Sequence, residues 1–346
     1  MHKILITGGA GYLGSHISIN ALKKGYKIIV MDSFVNSSRD IFKNFYKVID
    51  NEILENNFEI ISGDIRNQIL LNEIFDRNIK KGEQITSVIH CAGLKSITSS
   101  LIKPEDFWDI NVFGTVNLLK TMKYFECQNL IFSSSATVYD PSREKKLDEN
   151  CEIKPSNPYG TTKFVTEKFL EDIYSSAKNK WKILNLRYFN PIGADPDGII
   201  GESPKIEKNN IFPLILDVAS KKLEKLTIFG NDWETVDGTP VRDYIHVHDL
   251  AKSHLKGLEY LDNKPAGFLN LNIGTGCGTT VLELIRTFEK TNNLKIPFEF
   301  GERRKGDFGY VVADNSLAKA TLSWKPKKDL RDMCKDGWNW ILKSNT

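Results

Sequence analysis

The fold is decided by one stretch near the N-terminus, KILITGGAGYLG (Lys3–Gly14). An apolar, strand-like run begins the stretch, and a helical pattern of apolar residues follows it. Between the two, Gly9, Gly11 and Gly14 have the G-x-G-x-x-G spacing. Glycine is needed there because the turn is tight and because the backbone must approach a pyrophosphate closely at the helix N-terminus. The stretch therefore predicts the first strand, turn and helix of a dinucleotide-binding domain.

A carboxylate follows at the position where such a domain binds the adenosine ribose. Asp32 ends the next strand-like run, 18 residues beyond Gly14, and can accept hydrogen bonds from the ribose hydroxyls. Ser33 follows it instead of an arginine, so a 2′-phosphate would meet negative charge. The sequence therefore predicts that the cofactor is NAD and not NADP.

Short β-rich runs alternate with longer helical patterns through the first half of the chain. This alternation is typical of a doubly wound parallel sheet with helices on both faces. The predicted strands are Lys3–Thr7, Lys27–Met31, Phe58–Ile61, Ser87–Cys91, Asn129–Ser133 and Lys182–Leu186, and the predicted helices are Tyr12–Lys24, Gln68–Ile79, Asp106–Tyr124 and Tyr159–Ser176.

The alternation weakens after Arg187, and Asn190–Asn210 is rich in Gly, Pro, Asp and Asn, which is typical of ligand-binding loops. Helices at Thr280–Lys290 and Arg331–Leu342 and a strand at Pro297–Phe300 are predicted beyond it. The fold class is thus α/β. We expect a Rossmann-type NAD-binding domain at residues 1–188, to which residues 241–262 return, and a smaller α/β substrate-binding domain at residues 189–346.

Composition excludes several classes of partner. The 346 residues carry 47 basic and 44 acidic side chains, a net charge of +3, which favours neither nucleic-acid nor membrane binding. Five scattered cysteines without a Cys-x-x-Cys pair, and an N-terminus that runs directly into a strand, predict a cytoplasmic protein. His246 and His248 have strand spacing, but no further Cys/His cluster accompanies them, so no metal site is expected.

A tyrosine and a lysine four residues apart, Tyr159 and Lys163, share one face of a predicted helix. The same spacing occurs at Tyr174/Lys178 and Tyr260/Lys264, so it is weak by itself. Ser135 distinguishes the first pair, because it lies at the carboxyl edge of the sheet, where doubly wound folds bind ligands. We expect Ser135 to hold a substrate alcohol and Tyr159 to remove its proton. Lys163 and the nicotinamide charge should lower the pKa of the phenol.

These residues resemble the extended short-chain dehydrogenase/reductase family. The resemblance rests on the glycine turn, Asp32, Asp64-Ile65, Ser135, Tyr159 and Lys163. Within that family, four segments closely resemble the UDP-galactose (UDP-glucose) 4-epimerases, and they are His90–Lys95, Phe132–Tyr139, Arg187–Pro191 and Val241–Val247. The similarity extends from Met1 to about Trp340.

The resemblance implies an NAD site with contacts to Gly8, Gly11, Tyr12, Leu13, Gly14, Asp32, Asn36, Ser37, Asp64, Ile65, Ala92, Gly93, Lys95, Asn111, Tyr159, Lys163 and Tyr188. It also implies a UDP-hexose site at Lys95, Ser135, Ala136, Thr137, Tyr159, Asn190, Asn209, Asn210, Phe229, Arg242, Arg304, Asp307 and Val311. In this assignment Arg242 and Arg304 bind the pyrophosphate, for which guanidinium groups are suited. Each arginine could instead pair with Asp243 or Asp307.

The implied reaction interconverts UDP-galactose and UDP-glucose. Tyr159 removes the proton of the C4 hydroxyl, NAD takes the C4 hydride, the flat 4-keto sugar turns over, and hydride returns to the opposite face. A nucleotide-sugar 4,6-dehydratase is disfavoured because Ala136-Thr137 stands where those relatives have an Asp-Glu pair. An epimerase of UDP-pentoses or UDP-uronates stays open, as does a non-catalytic NAD sensor.

Two positions bear on specificity and on the loop before Tyr159. Val311 occupies a position where a residue smaller than tyrosine is associated with room for a 2-N-acetyl group, so activity on UDP-GlcNAc and UDP-GalNAc is hypothesised. Asp140 replaces the common glycine after Val138-Tyr139, and the interval from Ser135 to Tyr159 is one residue shorter than in some relatives. By analogy with the family, a homodimer through the helices Asp106–Tyr124 and Tyr159–Ser176 is expected.

Overall fold

A computed structural model describes residues 3–142, 146–205, 210–304 and 306–344. The strands of this structure are β1 (Lys3–Thr7), β2 (Lys27–Asp32), β3 (Phe58–Ser62), β4 (Ile85–His90), β5 (Asn129–Ser135), β6 (Lys182–Tyr188), β7 (Asn190–Ile192), β8 (Leu226–Phe229), β9 (Val241–Arg242), β10 (Tyr244–His246), β11 (Gly267–Ile273), β12 (Thr279–Thr280), β13 (Phe298–Gly301) and β14 (Tyr310–Val311).

The α-helices are α1 (Tyr12–Lys23), α2 (Asn51–Asn57), α3 (Gln68–Lys80), α4 (Ile97–Ile102), α5 (Pro104–Phe107), α6 (Gly114–Tyr124), α7 (Pro158–Ser176), α8 (Ile211–Ala219), α9 (Val247–Asn263), α10 (Val281–Asn292), α11 (Ser316–Leu322) and α12 (Leu330–Ser344). Short 3₁₀-helices lie at Arg39–Lys47 and Ala136–Val138.

Two compact units make up the chain. The first contains the described residues of Met1–Val138, Lys154–Arg187 and Ala251–Leu271, and the second contains those of Tyr139–Ile153, Tyr188–Leu250 and Asn272–Thr346. These units differ from the predicted domain ranges in two places. The described residues of 139–153 belong to the second unit, with bridges from Tyr139 to Ile153 and from Leu147 to Ala313. The segment that returns to the first unit is 251–271 and not the predicted 241–262. The assignment of a binding role to each range stays a prediction.

In the described residues, one seven-stranded sheet has the order β11-β6-β5-β4-β1-β2-β3. The strands from β1 to β5 pair in parallel, so their carboxyl ends lie at one edge. The order places the crossover between β1 and β4, which is the ligand-binding position of a Rossmann fold. This confirms the predicted α/β fold class. The six predicted strands begin and end within two residues of the observed ones, whereas β11 was not predicted.

The prediction of one continuous helix over Asp106–Tyr124 is wrong. The structure has α5, then a π-helical turn at Trp108–Phe113, and then α6. The turn contains the buried Asn111, whose side chain bonds to the backbone of Leu94. A single-turn π-helix often marks a functional position, and hydrophobic periodicity does not show it.

The strand spacing expected for His246 and His248 is also wrong, because His246 ends β10 and His248 lies in α9. The His246 ring is buried and lies 3.1 Å from the Asp336 carboxylate, and its Nδ1 accepts the His248 N–H. Among the described residues, no group of three or more His, Cys, Asp or Glu side chains is placed to hold a metal ion.

Each unit has its own apolar core. Leu5, Val88, Leu118 and Leu130 are fully buried in the first unit, and Ile215, Leu284 and Phe288 are fully buried in the second. The second core contains the helices predicted near Thr280 and Arg331, together with α8, which was not predicted. Within the described ranges, no helix combines the length and the apolar character needed to cross a membrane.

Candidate active site

The glycine turn between β1 and α1 leaves no room for side chains. Gly8 has a φ of +70°, and a Cβ there would lie 2.7 Å from the Ala92 nitrogen. A Cβ on Gly14 would lie 2.2 Å from the Gly8 carbonyl oxygen. Gly11 precedes Tyr12 and Leu13 as the N-cap and gives the helix no side-chain cap. The N-terminus of α1 is therefore formed for close approach of an anion, as the spacing predicted.

Asp32 ends β2 and is only 9% exposed. Its Oδ2 accepts the Ala10 N–H at 2.9 Å, and its Oδ1 accepts the Phe34 N–H and the Ser37 hydroxyl at 2.8 Å. The carboxylate is thus fixed against the glycine turn. Because its two oxygens can accept about four hydrogen bonds, acceptor capacity remains for a ribose hydroxyl. The Ser37 hydroxyl thus donates to Asp32, and Asn36, which precedes Ser37, is half-buried.

Asp64 and Ile65 follow β3 and differ in their surroundings. Arg66 donates to both Asp64 oxygens, at 2.9 and 2.7 Å, and holds the pKa of that carboxyl below its ordinary value. The same arginine reaches Asp109 at 2.5 Å. Ile65 is buried in the core, where a side chain on Gly114 would collide with it. Arg66 was missed by the sequence analysis, although the spacing Asp-x-Arg was visible.

The loop after β4 is held by Asn111. The Asn111 amide accepts the Leu94 N–H at 2.8 Å and donates to the Leu94 carbonyl at 3.1 Å and to the Thr162 hydroxyl at 3.2 Å. Gly93, with a φ of +156°, lets the amide approach, because a Cβ there would lie 2.9 Å from its oxygen. The predicted residues Ala92, Gly93, Lys95 and Asn111 are therefore brought together, and the Lys95 ammonium lies 6.0 Å from the centroid of the Tyr12 ring.

Ser135 and Tyr159 meet at the end of β5. Ser135 Oγ accepts the N–H and the hydroxyl of Thr137, at 3.2 and 3.0 Å, so its own proton is available to the phenol. A hydrogen bond joins Ser135 and Tyr159 and acts to lower the pKa of the phenol. Burial nevertheless raises that pKa to about 12, because Tyr159 is only 5% exposed. Ala136 follows Ser135 and begins the 3₁₀-helix.

Lys163 lies four residues along α7 and is also 5% exposed. Its ammonium donates to the Ser133 carbonyl at 2.8 Å and lies 5.9 Å from the centroid of the Tyr159 ring. Burial lowers the pKa of Lys163 to about 8. The prediction that the ammonium lowers the phenol pKa is wrong for the protein groups alone, because Lys163 is directed to a carbonyl and burial dominates at Tyr159.

In the second unit, the Arg242 guanidinium donates to Asp307 and to the Val241 carbonyl. The alternative pairing of Arg242 with Asp307 is thus the one observed, whereas Asp243 accepts bonds from Thr275 and Gly276. Asp307 Oδ1 also accepts the Phe308 N–H at 3.0 Å.

Arg304 lies over the Phe229 ring, with its guanidinium carbon 4.0 Å from the ring centroid. Neighbouring Arg303 has the same distance to the Trp233 ring and pairs with Asp232, and this second stacked pair was missed. We define the arginine cluster as Phe229, Arg242, Arg304 and Asp307. Val311 pairs with Arg242 across β14 and β9.

The remaining predicted residues follow strand ends or begin helices. Tyr188 ends β6, Asn190 begins β7 and donates its N–H to the Asp243 carbonyl, and Asn210 is the N-cap of α8. Asn209 lies outside the described residues.

The comparisons with known proteins agree with this geometry. The model of the NAD dependent epimerase/dehydratase family matches residues 4–274, and the chain belongs to that family. It is similar to UDP-glucose 4-epimerase 2 of Arabidopsis thaliana, with 42% identity over 98% of this chain and 94% of that protein.

Two solved structures are similar over nearly their whole length. One is UDP-glucose 4-epimerase from Bifidobacterium longum in complex with NAD+ and UDP, with a TM-score of 0.92, 38% identity, and 99% of each chain covered. The other is UDP-glucose-4-epimerase from Stenotrophomonas maltophila with bound NAD and formylated UDP-arabinopyranose, with a TM-score of 0.93, 37% identity, and 100% and 99% covered.

Proposed function

We propose that this chain is an NAD-dependent UDP-glucose 4-epimerase, which interconverts UDP-galactose and UDP-glucose. The observation that carries the proposal is the buried contact between Ser135 and Tyr159, with Lys163 on the same helix face, at the carboxyl edge of the sheet. The edge that carries these groups also carries the glycine turn. Full-length similarity to UDP-glucose 4-epimerases supports the same reaction.

The residues present fit NAD. The side-chain-free turn at Gly8, Gly11 and Gly14 and the N-terminus of α1 suit its pyrophosphate, and the fixed Asp32 carboxylate suits its adenosine ribose. We assign its adenine end to Asn36, Ser37, Asp64 and Ile65. Lys95 and Asn111 are assigned to its phosphates and ribose region. Its nicotinamide end is assigned to Ala92, Gly93, Tyr159, Lys163 and Tyr188.

When bound, NAD would supply the hydride acceptor for C4 of the hexose and return the hydride to either face of the ring. Ser135 holds the C4 hydroxyl. Tyr159, as the phenolate that the positive charge of bound NAD would favour, accepts the proton of that hydroxyl and later gives it back. Lys163, which stays largely protonated below its pKa of about 8, keeps positive charge near the phenol while its proton moves. Ala136 and Thr137 offer no acid/base pair at this position, which disfavours a dehydratase.

UDP has to stay held while the sugar turns over, and the arginine cluster is suited to this task. We assign Arg242 and Arg304 to the pyrophosphate, Phe229 to the uracil, and Asp307 Oδ2 to the uridine ribose, because Oδ1 is occupied by Arg242 and the Phe308 N–H. We also assign Asn190, Asn209, Asn210 and Lys95 to the sugar diphosphate, as the family resemblance implies.

The size of Val311 sets which hexoses enter. Valine leaves more room than tyrosine, so we propose turnover of UDP-GalNAc to UDP-GlcNAc as well. Val311→Tyr should lower kcat/KM for UDP-GalNAc at least about tenfold and leave that for UDP-galactose within about twofold. Proton NMR of both substrates measures the ratio. Absence of UDP-GalNAc turnover by the unaltered protein would reject the proposal on N-acetylated substrates.

A UDP-pentose is the second candidate substrate. The similar protein from Stenotrophomonas maltophila has formylated UDP-arabinopyranose bound. Val311 and the arginine cluster do not discriminate at C5, where a pentose lacks the hydroxymethyl group.

A homodimer is proposed for the assembled enzyme. The contact is proposed through residues 106–124 and 159–176, as the family resemblance implies, and the first of these segments exposes Phe113 (59%) and Tyr124 (79%). Contiguous exposed apolar surface on helices favours association. Sedimentation velocity should give twice the chain mass, and a monomer at micromolar concentration would contradict it.

A cytoplasmic location is proposed because all five cysteines are free. Buried thiols such as Cys127 and Cys334 are suited to a reducing compartment.

The decisive experiment is proton NMR of the purified protein with UDP-galactose and no added NAD. We expect UDP-glucose anomeric signals and no other product, because NAD is retained through turnover. An unchanged spectrum even with NAD supplied would reject UDP-hexoses, and UDP-pentoses and UDP-uronates would then be tested. A new methyl doublet would indicate a dehydratase. Full activity of Tyr159→Phe would exclude the role of the phenol.

A further inference from the structure

Three consecutive serines at the end of β5 each bond to one residue on the same face of α7. The Ser133 carbonyl accepts the Lys163 ammonium at 2.8 Å, the Ser134 hydroxyl donates to Glu167 at 2.5 Å, and Ser135 bonds to Tyr159. Tyr159, Lys163 and Glu167 are spaced by four residues and so lie in one row along the helix. We call these three side chains the helix row. Its third member has no role in the proposed reaction.

Glu167 is clamped from two sides. Its Oε1 accepts the Ser134 hydroxyl at 2.5 Å and the Arg187 Nε at 2.9 Å, and its Oε2 accepts Arg187 Nη2 at 2.6 Å. Glu167 and Arg187 are each 3% exposed, and Ser134 is fully buried. A buried ion pair of this kind is weak evidence for added stability, because desolvation of both charges opposes their attraction. A role beyond stability is therefore worth testing.

Glu167 differs in charge from the other titratable groups that face Lys163. On the same helix, Tyr159 is neutral because burial raises its pKa to about 12. From β4 and the residue after it, His90 and Cys91 are neutral, because burial lowers the pKa of His90 to about 3 and raises that of Cys91 to about 11. From α9, the buried His254 ring reaches the Ser133 hydroxyl at 3.2 Å.

Two carboxylate-bearing contacts complete these surroundings. Asp32 faces Cys91 from the end of β2, and Glu167 lies one helical turn beyond Lys163. Cys91 and Glu167 both favour the charged form of Lys163, and because Cys91 is neutral, Glu167 is the one of these two that carries a negative charge. Arg187 pairs with Glu167 from β6, whereas the Lys163 ammonium donates to the Ser133 carbonyl.

We propose that Glu167, clamped by Ser134 and Arg187, is a positioning residue that fixes the end of β5, where the Ser133 carbonyl accepts the Lys163 ammonium, and that its negative charge keeps this ammonium charged during turnover. This inference rests on the proposed epimerase reaction. It makes two predictions of opposite sign, because Glu167 and Arg187 carry opposite charges. Loss of the anion should make Lys163 easier to deprotonate, and loss of the cation should make it harder.

The test compares Glu167→Gln and Arg187→Gln in the holoenzyme. The alkaline limit of kcat should move down by about one pH unit in Glu167→Gln and should move up in Arg187→Gln. The Lys163 ammonium signal, observed by nitrogen-15 NMR and assigned with Lys163→Arg, should titrate with the same two shifts. A fall in kcat at every pH with no shift of either limit would overturn the proposal.

Three further variants separate charge, position and stability. Ser134→Ala removes the clamp and no charge, so kcat should fall while KM and the alkaline limit stay unchanged. Glu167→Met/Arg187→Met should fold even where the single variants do not, and its limit should lie between theirs. Glu83→Gln is the matched control, because Glu83 pairs with Lys3 and Lys27 away from α7, and it should shift neither limit.

The NMR titration needs no turnover, so it separates the two proposals. Shifted Lys163 titration in a protein that does not convert UDP-galactose would reject the epimerase reaction and retain the charge coupling. Unshifted titration in an active Glu167→Gln variant would overturn the role of Glu167 and leave the reaction intact.

Discussion

In the first unit, Tyr159, Lys163 and Glu167 lie on one helix and are at most 5% exposed. In the second unit, Arg304 is exposed, Arg242 is half-buried, and the two come from different segments of the chain. Proton transfer needs fixed distances and little water, which a buried helix face provides. Holding a phosphate needs charge that an incoming ligand can reach, which partly exposed arginines provide. We therefore propose chemistry at Tyr159 and Lys163 of the helix row, and ligand retention at the arginine cluster.

Removing the Tyr159 hydroxyl tests this proposal most directly. Tyr159→Phe should lower kcat for UDP-galactose by about 10²- to 10⁴-fold, because the group that moves the proton of the C4 hydroxyl is lost. KM and the free energy of unfolding should change little, since only a hydroxyl is removed. Steady-state kinetics with proton NMR as the readout measures this. Tyr174→Phe is the control, because Tyr174 packs on Phe268 and should leave kcat unchanged.

A substitution in the arginine cluster should change KM, whereas Tyr159→Phe should change kcat. Arg304→Ala should raise the Kd for UDP and the KM by about 10- to 100-fold, because a charged hydrogen bond to phosphate is lost, with kcat changed much less. Isothermal titration with UDP measures the affinity. Arg303→Ala is the matched control, since Arg303 stacks on Trp233 and pairs with Asp232. An equal loss in both variants would remove the special role of Arg304.

The free-energy cost of burying the Lys163 ammonium should be visible in the pH dependence of the free energy of unfolding. Burial lowers the pKa of Lys163 from 10.5 to about 8, so between these values the unfolded chain binds a proton that the native protein has lost. The stability contributed by Lys163 therefore rises with pH across that window, by about 3 kcal/mol, and its cost is fully present below pH 8.

Denaturant unfolding of Lys163→Met checks this expectation. The variant should be more stable than the parent protein below pH 8, and the difference should shrink as the pH approaches 10.5. Lys178→Met, at an exposed position, should show no such trend. Activity should be lost in Lys163→Met at every pH, so stability and catalysis change in opposite directions.

The smallest effect is expected at a loop outside both regions. Asp140 does not adopt a left-handed backbone, so the glycine common at this position is not required. Its carboxylate accepts the Ser142 N–H at 3.0 Å. Asp140→Gly should lower the free energy of unfolding by about 1 kcal/mol or less and leave kcat unchanged. A kcat altered more than about twofold would show that the loop contributes to the helix row after all.

The sequence was informative where local geometry decides the residue type. A tight turn beside a helix N-terminus requires glycine, and a parallel strand buried on both faces requires an apolar run, so the strands up to β6 and the turn at Gly8–Gly14 were predictable. The spacing of Tyr159 and Lys163 fixed their common helix face for the same reason. The residues of the arginine cluster came from family resemblance, and their binding roles stay predictions.

Long-range contacts decided the remainder. The π-helical turn contains Asn111, whose side chain accepts the Leu94 N–H from a distant loop. Strand β11 joins the large sheet beside β6, although the two strands lie far apart along the chain. The pairing of Arg242 with Asp307 joins residues that are 65 positions apart, and the bond from Lys163 to the Ser133 carbonyl joins residues that are 30 positions apart. Local sequence sets backbone preference and face, whereas burial and hydrogen-bond partners exist only after distant segments have met.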